Sequence, residues 1–346
     1  MNQPLIDNTP VEKHGDIWVK REDLCATPPA PPFSKVRGLY AHLQYLQSRH
    51  GITTVGYTET SISMAGWGVA WACADLGLRC IIFDPQYKNP PALLRFHRRQ
   101  WRKFGARLIP LPAGRAMVNY YKSRKIIKEK YGEKGWILPL GLPFPETIQA
   151  NAREVENTIN NWGEPGTIVC NSGSGTMVSG ILRGIQDRDI DVYGICGRNT
   201  KDVRIKRRHI LAKGPGLGEE QEGNSDNRLF KEREFMSVPE IAKFLDISTT
   251  TVIMWTKKGW LTPSHVVNGK RMYKKRIYPF QFRLIDPEWE YTQSCDISVP
   301  FPCHPYYDRK AWKWLQENKN HLKKPILFWN IGSIWRDPKE ALYVRK

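Results

Sequence analysis

The chain has 346 residues, 40% of them hydrophobic, with 53 Lys and Arg against 34 Asp and Glu, a net charge of +19. That length exceeds a single ordinary core, and no apolar run reaches the roughly 18 residues of a membrane span, so no membrane-spanning helix is expected. The cationic excess points to a polyanionic partner, nucleic acid before membrane, with a merely basic surface as the plainer alternative. "MNQPLIDNTPVEKHG" lacks the charged and apolar regions of a signal peptide, which implies a soluble, cytoplasmic protein.

In chain order, "DIWVKREDL" (16–24) reads as a strand entering a polar turn. "SKVRGLYAHLQYLQSRHG" (34–51) reads as a helix capped by Ser34 and closed by Gly51. "TTVGYTE" and "RCIIFDPQ" are short β-rich runs, and "AGWGVAWACADLGL" between them is a buried helix rich in small residues. Arg95, Arg98, Arg99, Arg102 and Lys103 follow i, i+3, i+4, i+7, i+8 and share one helical face. From Pro85 to Gly132 the only acid is Glu129, so these cations should repel one another unless a polyanion lies against them. "ARLIPLP", "TIVCNSGSGTMVSGILRGI" and "DVYGICG" continue a β-α-β rhythm that predicts a parallel sheet with helices on both faces.

The rhythm stops near residue 198. "KDVRIKRRHILAKGPGLGEEQEGNSDNR" has no usable periodicity, and 213–234 reads as a linker. A compact segment of different character follows, over 235–284, after which "HPYYDRKAWKWLQENKNHLKKPILFWNIGS" returns to a helix and an apolar strand. The organisation predicted is an α/β enzyme body over 1–212 and 285–346, interrupted by a small inserted domain. The seven cysteines, at 25, 73, 80, 170, 196, 295 and 303, show no paired metal-ligand spacing and are expected to be reduced, mostly buried thiols; no metal site is predicted.

Four separated stretches, "WVKREDL" (18–24), "FSKVRGL" (33–39), "SGSGTMVSG" (172–180) and "HPYYDRKA…ILFWNIGS" (304–333), resemble in order the signature segments of fold type II, tryptophan synthase β-like, pyridoxal phosphate enzymes. Within that family they are most similar to the aminocyclopropane-carboxylate deaminase and D-cysteine desulfhydrase branch. The resemblance implies two open twisted parallel-sheet lobes, the smaller over about 38–145, a homodimer, and pyridoxal 5'-phosphate as cofactor. It places on Lys35 the role of the amine that condenses with the coenzyme's aldehyde, for which the ammonium must first lose a proton.

A phosphate needs converging N–H groups. Gly173 and Gly175 permit close backbone approach, Ser172, Ser174 and Thr176 add hydroxyls, and a helix beginning near Met177 turns its positive end toward the anion. Taken alone, such a Gly/Ser run is more often just a turn. By resemblance, Asp308 partners the pyridine nitrogen and Tyr307 lies near the substrate Cα as an acid or base, the plainer reading of Asp308 being an exposed helix-start aspartate. The loop that binds the substrate carboxylate in the family departs here. "SISMAG" (61–66) keeps Ser61 and Gly66 but has Ser63 and Met64 where glycine and asparagine are expected, and a thioether cannot replace an amide.

The segment "MSVPEIAKFLDISTTTVIMWTKKGWLTPSHVVNGKRMYKKRIYPF" resembles the helix-turn-helix of the MerR and excisionase type, with Val238, Ile241, Ala242 and Leu245 at helical spacing and a basic wing. That resemblance places Ser248, Thr249, Thr250 and Thr251 at the N-terminus of a groove-entering helix, with Lys257, Lys258, Lys270, Arg271, Lys274 and Lys275 among the cations of a DNA-binding face. A protein-interaction module is the alternative. Together the two resemblances imply an enzyme acting on an amino-acid adduct of a thymine-derived base in duplex DNA, as in bacteriophage hypermodification, by decarboxylation or another cleavage at Cα, in the host cytoplasm if phage-encoded. A small-molecule deaminase or desulfhydrase with a regulatory insert, and an inactive regulator built on the same fold, remain open beside it.

Overall fold

A computed structural model describes residues 5–114, 116–186, 188–200, 202–213, 235–245, 248–257, 265–267, 270–274 and 282–334. Its larger sheet contains β1 (Val11–His14), β2 (Ile17–Arg21), β7 (Thr167–Ser172), β8 (Asp191–Cys196), β12 (Phe282–Ile285) and β13 (Ile326–Asn330) in the order β1-β2-β13-β7-β8-β12. Only the β1–β2 pair is antiparallel. The second sheet, ordered β5-β4-β3-β6, is all parallel and comprises β3 (Thr54–Thr58), β4 (Arg79–Gln86), β5 (Arg107–Pro112) and β6 (Gly135–Leu138).

Both faces of each sheet are covered, and strand alternation decides which residue meets which helix. In β7 and β13, Ile168, Cys170, Leu327 and Trp329 join the core with α5 (Pro145–Trp162) and α6 (Thr176–Ile185). Val169, Ile326 and Phe328 point the other way, toward Trp312 and Leu315 of α10 (Asp308–Asn318). In the smaller sheet, Val55, Tyr57, Cys80 and Ile82 pack with α1 (Val36–His50), α2 (Ala65–Asp75) and α3 (Ala92–Lys103). Ile81, Phe83 and Ile137 face Ile127 of α4 (Ala116–Tyr131). Strands buried on both sides explain the near-continuous apolar runs of the sequence. All seven cysteines are free and buried.

Two expectations are corrected. The N-cap of α1 is Lys35, and the Ser34 hydroxyl instead reaches Met177 Sδ at 3.4 Å; Gly51 closes the helix in a left-handed conformation, φ 62°. The stretch read as lacking periodicity contains a helix, α7 (Val203–Lys213). Its cations hid the pattern: Val203, Ile210 and Leu211 pack on the core at i, i+7 and i+8, with Lys206 and Arg207 between them.

Between β8 and β12 the chain forms β9 (Phe235–Ser237), α8 (Val238–Leu245), α9 (Thr249–Lys257), β10 (His265–Val267) and β11 (Lys270–Lys274), with the strands in an antiparallel sheet ordered β10-β11-β9. Glu240 Oε2 accepts from both the Ser237 N–H and its hydroxyl at 2.7 Å, which caps the start of α8 in the manner of a capping box. Ile241, Ala242 and Val252 are buried in the same cluster as the α6 side chains. The expected linker beyond Lys213, together with Lys258 and Lys275, lies outside the described residues, as do the side chains of Thr251, Lys257, Lys270, Arg271 and Lys274.

Candidate active site

The carboxyl ends of the strands of both sheets converge on one cavity of about 560 Å³, the position where α/β folds place ligands. Glu59, Thr60 and Ser63 to Ala65 follow β3, Pro85 and Tyr87 come from the end of β4, Leu140 and Gly141 follow β6, Asn171 ends β7 with Ser172, and Gly173 to Thr176 follow it. Gly197 and Arg198 follow β8, and Ile331 and Gly332 follow β13.

Lys35 stands at the head of α1 and lines this cavity. Its Nζ donates to Gly141 O at 2.8 Å and to Ser174 Oγ at 3.1 Å, so the amine and the loop after β7 meet directly. Burial brings the amine down to about 8, and the charge of Lys213 adds to the effect while Asp308 opposes it. A sizeable neutral fraction is therefore present near neutral pH.

The segment 18–24 holds that lysine in place. Lys20, fully buried, pairs with Glu154 of α5 at 2.7 Å and donates to Thr9 O at 2.6 Å. Arg37, two residues after Lys35, pairs with Glu22 at 3.1 Å and with Asp7 at 2.8 Å. Arg21 pairs with Asp23 at 2.8 Å, and Asp23 accepts from Asn330 of β13 at 2.9 Å. Buried charges are tolerated only when matched in this way.

After β7 the chain turns into α6 through Ser172, Gly173, Ser174 and Gly175. Gly175 is the N-cap, at φ 83°, and a Cβ there would also lie 2.5 Å from Ile210 Cγ1. Gly173 faces open space. Ser174 Oγ and Thr176 Oγ1 bond each other at 2.8 Å, while Ser172 Oγ is buried with no hydrogen-bond partner. A ten-residue helix thus opens its N-terminus, lined with glycines and hydroxyls, onto the cavity.

Asp308, against the plainer alternative of an exposed helix-start aspartate, is 2% exposed and lines the cavity. Burial pushes its carboxyl up to about 8, the charge of Asp23 adds to this, and the Ile331 N–H at 3.2 Å opposes it. Among the described residues no cation forms an ion pair with it. A buried carboxyl facing a cavity in that state fits a protonated ring nitrogen, just as the open helix end fits a phosphate. The residues present therefore fit pyridoxal phosphate at three points.

Tyr307 donates to or accepts from Tyr291 at 3.0 Å, and Tyr291 in turn meets Thr60 Oγ1 at 2.9 Å. Burial, with Tyr291 alongside, holds the Tyr307 phenol well above its usual range, so it stays protonated. His304 stacks at a tilt on Tyr307, centroids 4.6 Å apart.

The loop 59–66 shows what sequence reasoning missed. Ser61 Oγ is buried without a partner, Ser63 Oγ accepts from Ala65 N at 3.1 Å, and Met64 lines the cavity. Glu59, 4% exposed, also lines it, its carboxyl bonded to the N–H groups of Thr60 and Gly66 and raised by burial to about 8. Its position directly after a parallel strand was the available signal.

Of the basic face on α3, Arg98 departs from expectation. An acid just outside the acid-free stretch, Asp84, pairs with its Nε at 2.9 Å, and Pro85 O accepts at 3.1 Å. Arg95 bonds Pro90 O at 2.7 Å, Arg99 lies over Phe96, and Arg102 and Lys103 are exposed. Ser248, Thr249 and Thr250 are exposed at the start of α9, remote in sequence from the cavity-lining segments.

Comparison with known proteins agrees with this geometry. The chain is 32% identical over 338 residues to a glycyl-dTMP PLP-dependent decarboxylase of Pseudomonas phage M6, covering 95% of this chain and 99% of that protein. It resembles the crystal structure of an ACC deaminase homologue, with a TM-score of 0.67 at 17% identity, over 99% of this chain and 94% of the other. A hydrogen sulfide-producing enzyme from Fusobacterium nucleatum matches with a TM-score of 0.57 at 14% identity, over 96% and 97%. At such identities these two structures speak to the fold alone. The family model for pyridoxal-phosphate dependent enzymes matches residues 2–239, a span that contains Lys35 and the loop after β7. The chain belongs to the pyridoxal-phosphate dependent enzymes, and its cofactor is pyridoxal phosphate.

Proposed function

We propose that this enzyme removes carbon dioxide from an amino-acid group carried on a thymine-derived base of DNA. The observation that carries the reading is the meeting of Lys35, the open α6 N-terminus and Asp308 in one cavity, in a chain similar along nearly its whole length to a protein named for decarboxylation of glycyl-dTMP.

Ser172, Gly173, Ser174, Gly175 and Thr176 would hold the coenzyme's phosphate, and Asp308 its ring nitrogen. When bound, pyridoxal phosphate supplies an aldehyde for amines and a ring that withdraws electrons from Cα. The chain's own residues do the rest. Lys35 Nζ, half-deprotonated near pH 8, presents a nucleophilic amine and afterwards a proton donor. Tyr307, kept as a neutral phenol by burial and by Tyr291, is the second proton donor within the cavity. Asp308, kept free of water, is placed to give or share a proton at the ring nitrogen.

The rim of the cavity supports a substrate larger than a free amino acid. Ala116, Met117 and Asn119 of α4 line it, Met117 is 54% exposed, and Val118 and Tyr121 on the same helix are exposed at 45% and 60%. Lys122, Arg124, Lys125 and Lys128 continue along the same helix, all exposed. An apolar and aromatic platform at the mouth, followed by cations, suits a base and its flanking phosphates. We also propose that 235–284 is a winged helix-turn-helix which binds the duplex, with Ser248 to Thr251 at the groove-entering end of α9 and Lys257, Lys258, Lys270, Arg271, Lys274 and Lys275 toward the backbone. The order of α8, α9 and the antiparallel β9–β11 sheet supports it. The modified base would then leave the stack to reach the pocket.

The test is to incubate the protein and pyridoxal phosphate with DNA carrying a glycyl-modified thymine, then digest it and weigh the nucleosides. Loss of the mass of carbon dioxide is expected. An unchanged adduct, alongside turnover of free D-cysteine or aminocyclopropane carboxylate, would reject the proposal.

A further inference from the structure

The N-terminus of α2 opens on the same cavity as that of α6, through Ser63, Met64 and Ala65. An eleven-residue helix presents unpaired N–H groups and a positive end there, which attract carboxylates. Neither of the first two N–H groups is available. Ala65 N donates to Ser63 Oγ at 3.1 Å, and Gly66 N donates to Glu59 Oε2. The other oxygen of Glu59 is held by Thr60 N at 2.8 Å, so the carboxyl is fixed on both sides and 4% exposed. Gly66 leaves it room, since a Cβ there would lie 2.3 Å from Glu59 Oε2 and 2.9 Å from Trp101 Nε1. Met64, the residue before the helix, adds no donor.

We propose that Glu59 is a built-in plug of the α2 anion site, a specificity-determining residue that denies the Gly66 N–H to the substrate's carboxylate, beside the Ala65 N–H that Ser63 already holds. The chemical consequence rests on the decarboxylase reading above. Decarboxylation breaks the bond from Cα to the carboxylate, releases carbon dioxide, leaves the electron pair at Cα and ends with proton uptake there. Negative charge drains from the carboxylate as that bond breaks. Donors fixed on it would stabilise the starting state more than the transition state and so favour loss of the Cα proton instead. Withholding them favours the release of carbon dioxide. Among the described residues lining the cavity, the cations left for a substrate anion are Lys35 and Arg198.

Acetate serves as the probe, titrated calorimetrically into the holoenzyme, with retention of the coenzyme's visible absorption as the check on folding. Glu59→Ala should bind acetate roughly 10- to 100-fold more tightly than wild type, the worth of one or two charge-assisted hydrogen bonds. Glu59→Gln, which keeps the bulk but has one acceptor oxygen for two N–H groups, should fall between wild type and the alanine variant, and Glu59→Ser is the second opening variant if the alanine protein loses its fold. Equal acetate affinity in wild type and both folded opening variants overturns the plug. Because acetate undergoes no reaction, capture by the opened variants supports the plug whether or not the wild type releases carbon dioxide, and its absence sinks the plug even if decarboxylation is observed.

Discussion

The loops after β3 and β7 share a plan and differ in outcome. Each leaves the carboxyl end of a buried parallel strand, passes through serines and enters a helix rich in small residues at the cavity wall. After β7 the helix end is open, with Gly173 facing space and Gly175 in a left-handed turn. After β3 it is closed by the protein's own carboxyl from Glu59. Two helix ends with the same dipole therefore differ both in backbone, left-handed at Gly175 and right-handed at Met64, and in the Glu59 carboxyl that covers the second.

Predictions that test this contrast can be ordered by size. The largest concerns the amine that sits against the open loop. Lys35→Ala should abolish the visible band of the bound coenzyme and reduce turnover on the order of 10⁴-fold or more; retention of either would detach the loop from the chemistry. Next comes an alanine at each helix start. Gly175→Ala forces a Cβ into a left-handed conformation, costing on the order of 1–2 kcal/mol, and against Ile210 as well, so coenzyme affinity should fall at least about tenfold. Gly66→Ala should leave coenzyme affinity near wild type while lowering the melting temperature, because it evicts the Glu59 carboxyl. Similar losses of coenzyme affinity in both variants would erase the contrast.

A third prediction uses pH. Glu59 and Asp308 are both raised to about 8 from unfolded values of 4.5 and 3.8. Between those limits the folded protein binds more protons than the unfolded chain, so stability of the coenzyme-free protein should fall as pH rises from about 4 to 8. Glu59→Gln and Asp308→Asn should each flatten that slope in melting curves, and coenzyme should flatten only the Asp308 part. The smallest effects are expected on α3, falling from Arg98 to Arg102. Its loss leaves buried Asp84 unpaired, costing roughly 1–3 kcal/mol, and should move the Glu59 titration higher, since the Asp84 charge already raises it. Arg102→Ala should change stability by less than about 0.5 kcal/mol and only reduce the salt dependence of DNA binding.

Much of the body could be read from sequence because its chemistry is local. Buried parallel strands announce themselves as apolar runs, and Lys35, the glycines of 172–176 and Asp308 lie in motifs whose residue types are themselves the chemistry. Glu59 was opaque for the opposite reason. A single glutamate after a strand has no pattern, and its meaning comes from Gly66, seven residues away, and from the helix that starts there. Arg98 was misread because its partner sits fourteen residues upstream, beyond a helical neighbourhood. The α7 helix was missed because a run of cations separates Val203 from Ile210 and Leu211, the residues that pack it on the core.

The position of β13 has a bearing on how the molecule is assembled. Although nearly the last strand in the chain, it lies between β2 and β7, in the middle of the larger sheet. Early- and late-synthesised halves are thus joined by a keystone that arrives last, after β1–β8 have had to wait with a gap at their centre, a topology of long-range pairing that slows folding. The segment 235–274, by contrast, leaves after β8 and returns through β12 at the sheet's rim, where swapping or trimming it interrupts no central ladder. Its attachment is by packing at that rim, where Ile241, Ala242 and Val252 share a cluster with α6, so its removal would bare one flank and leave the central strands paired.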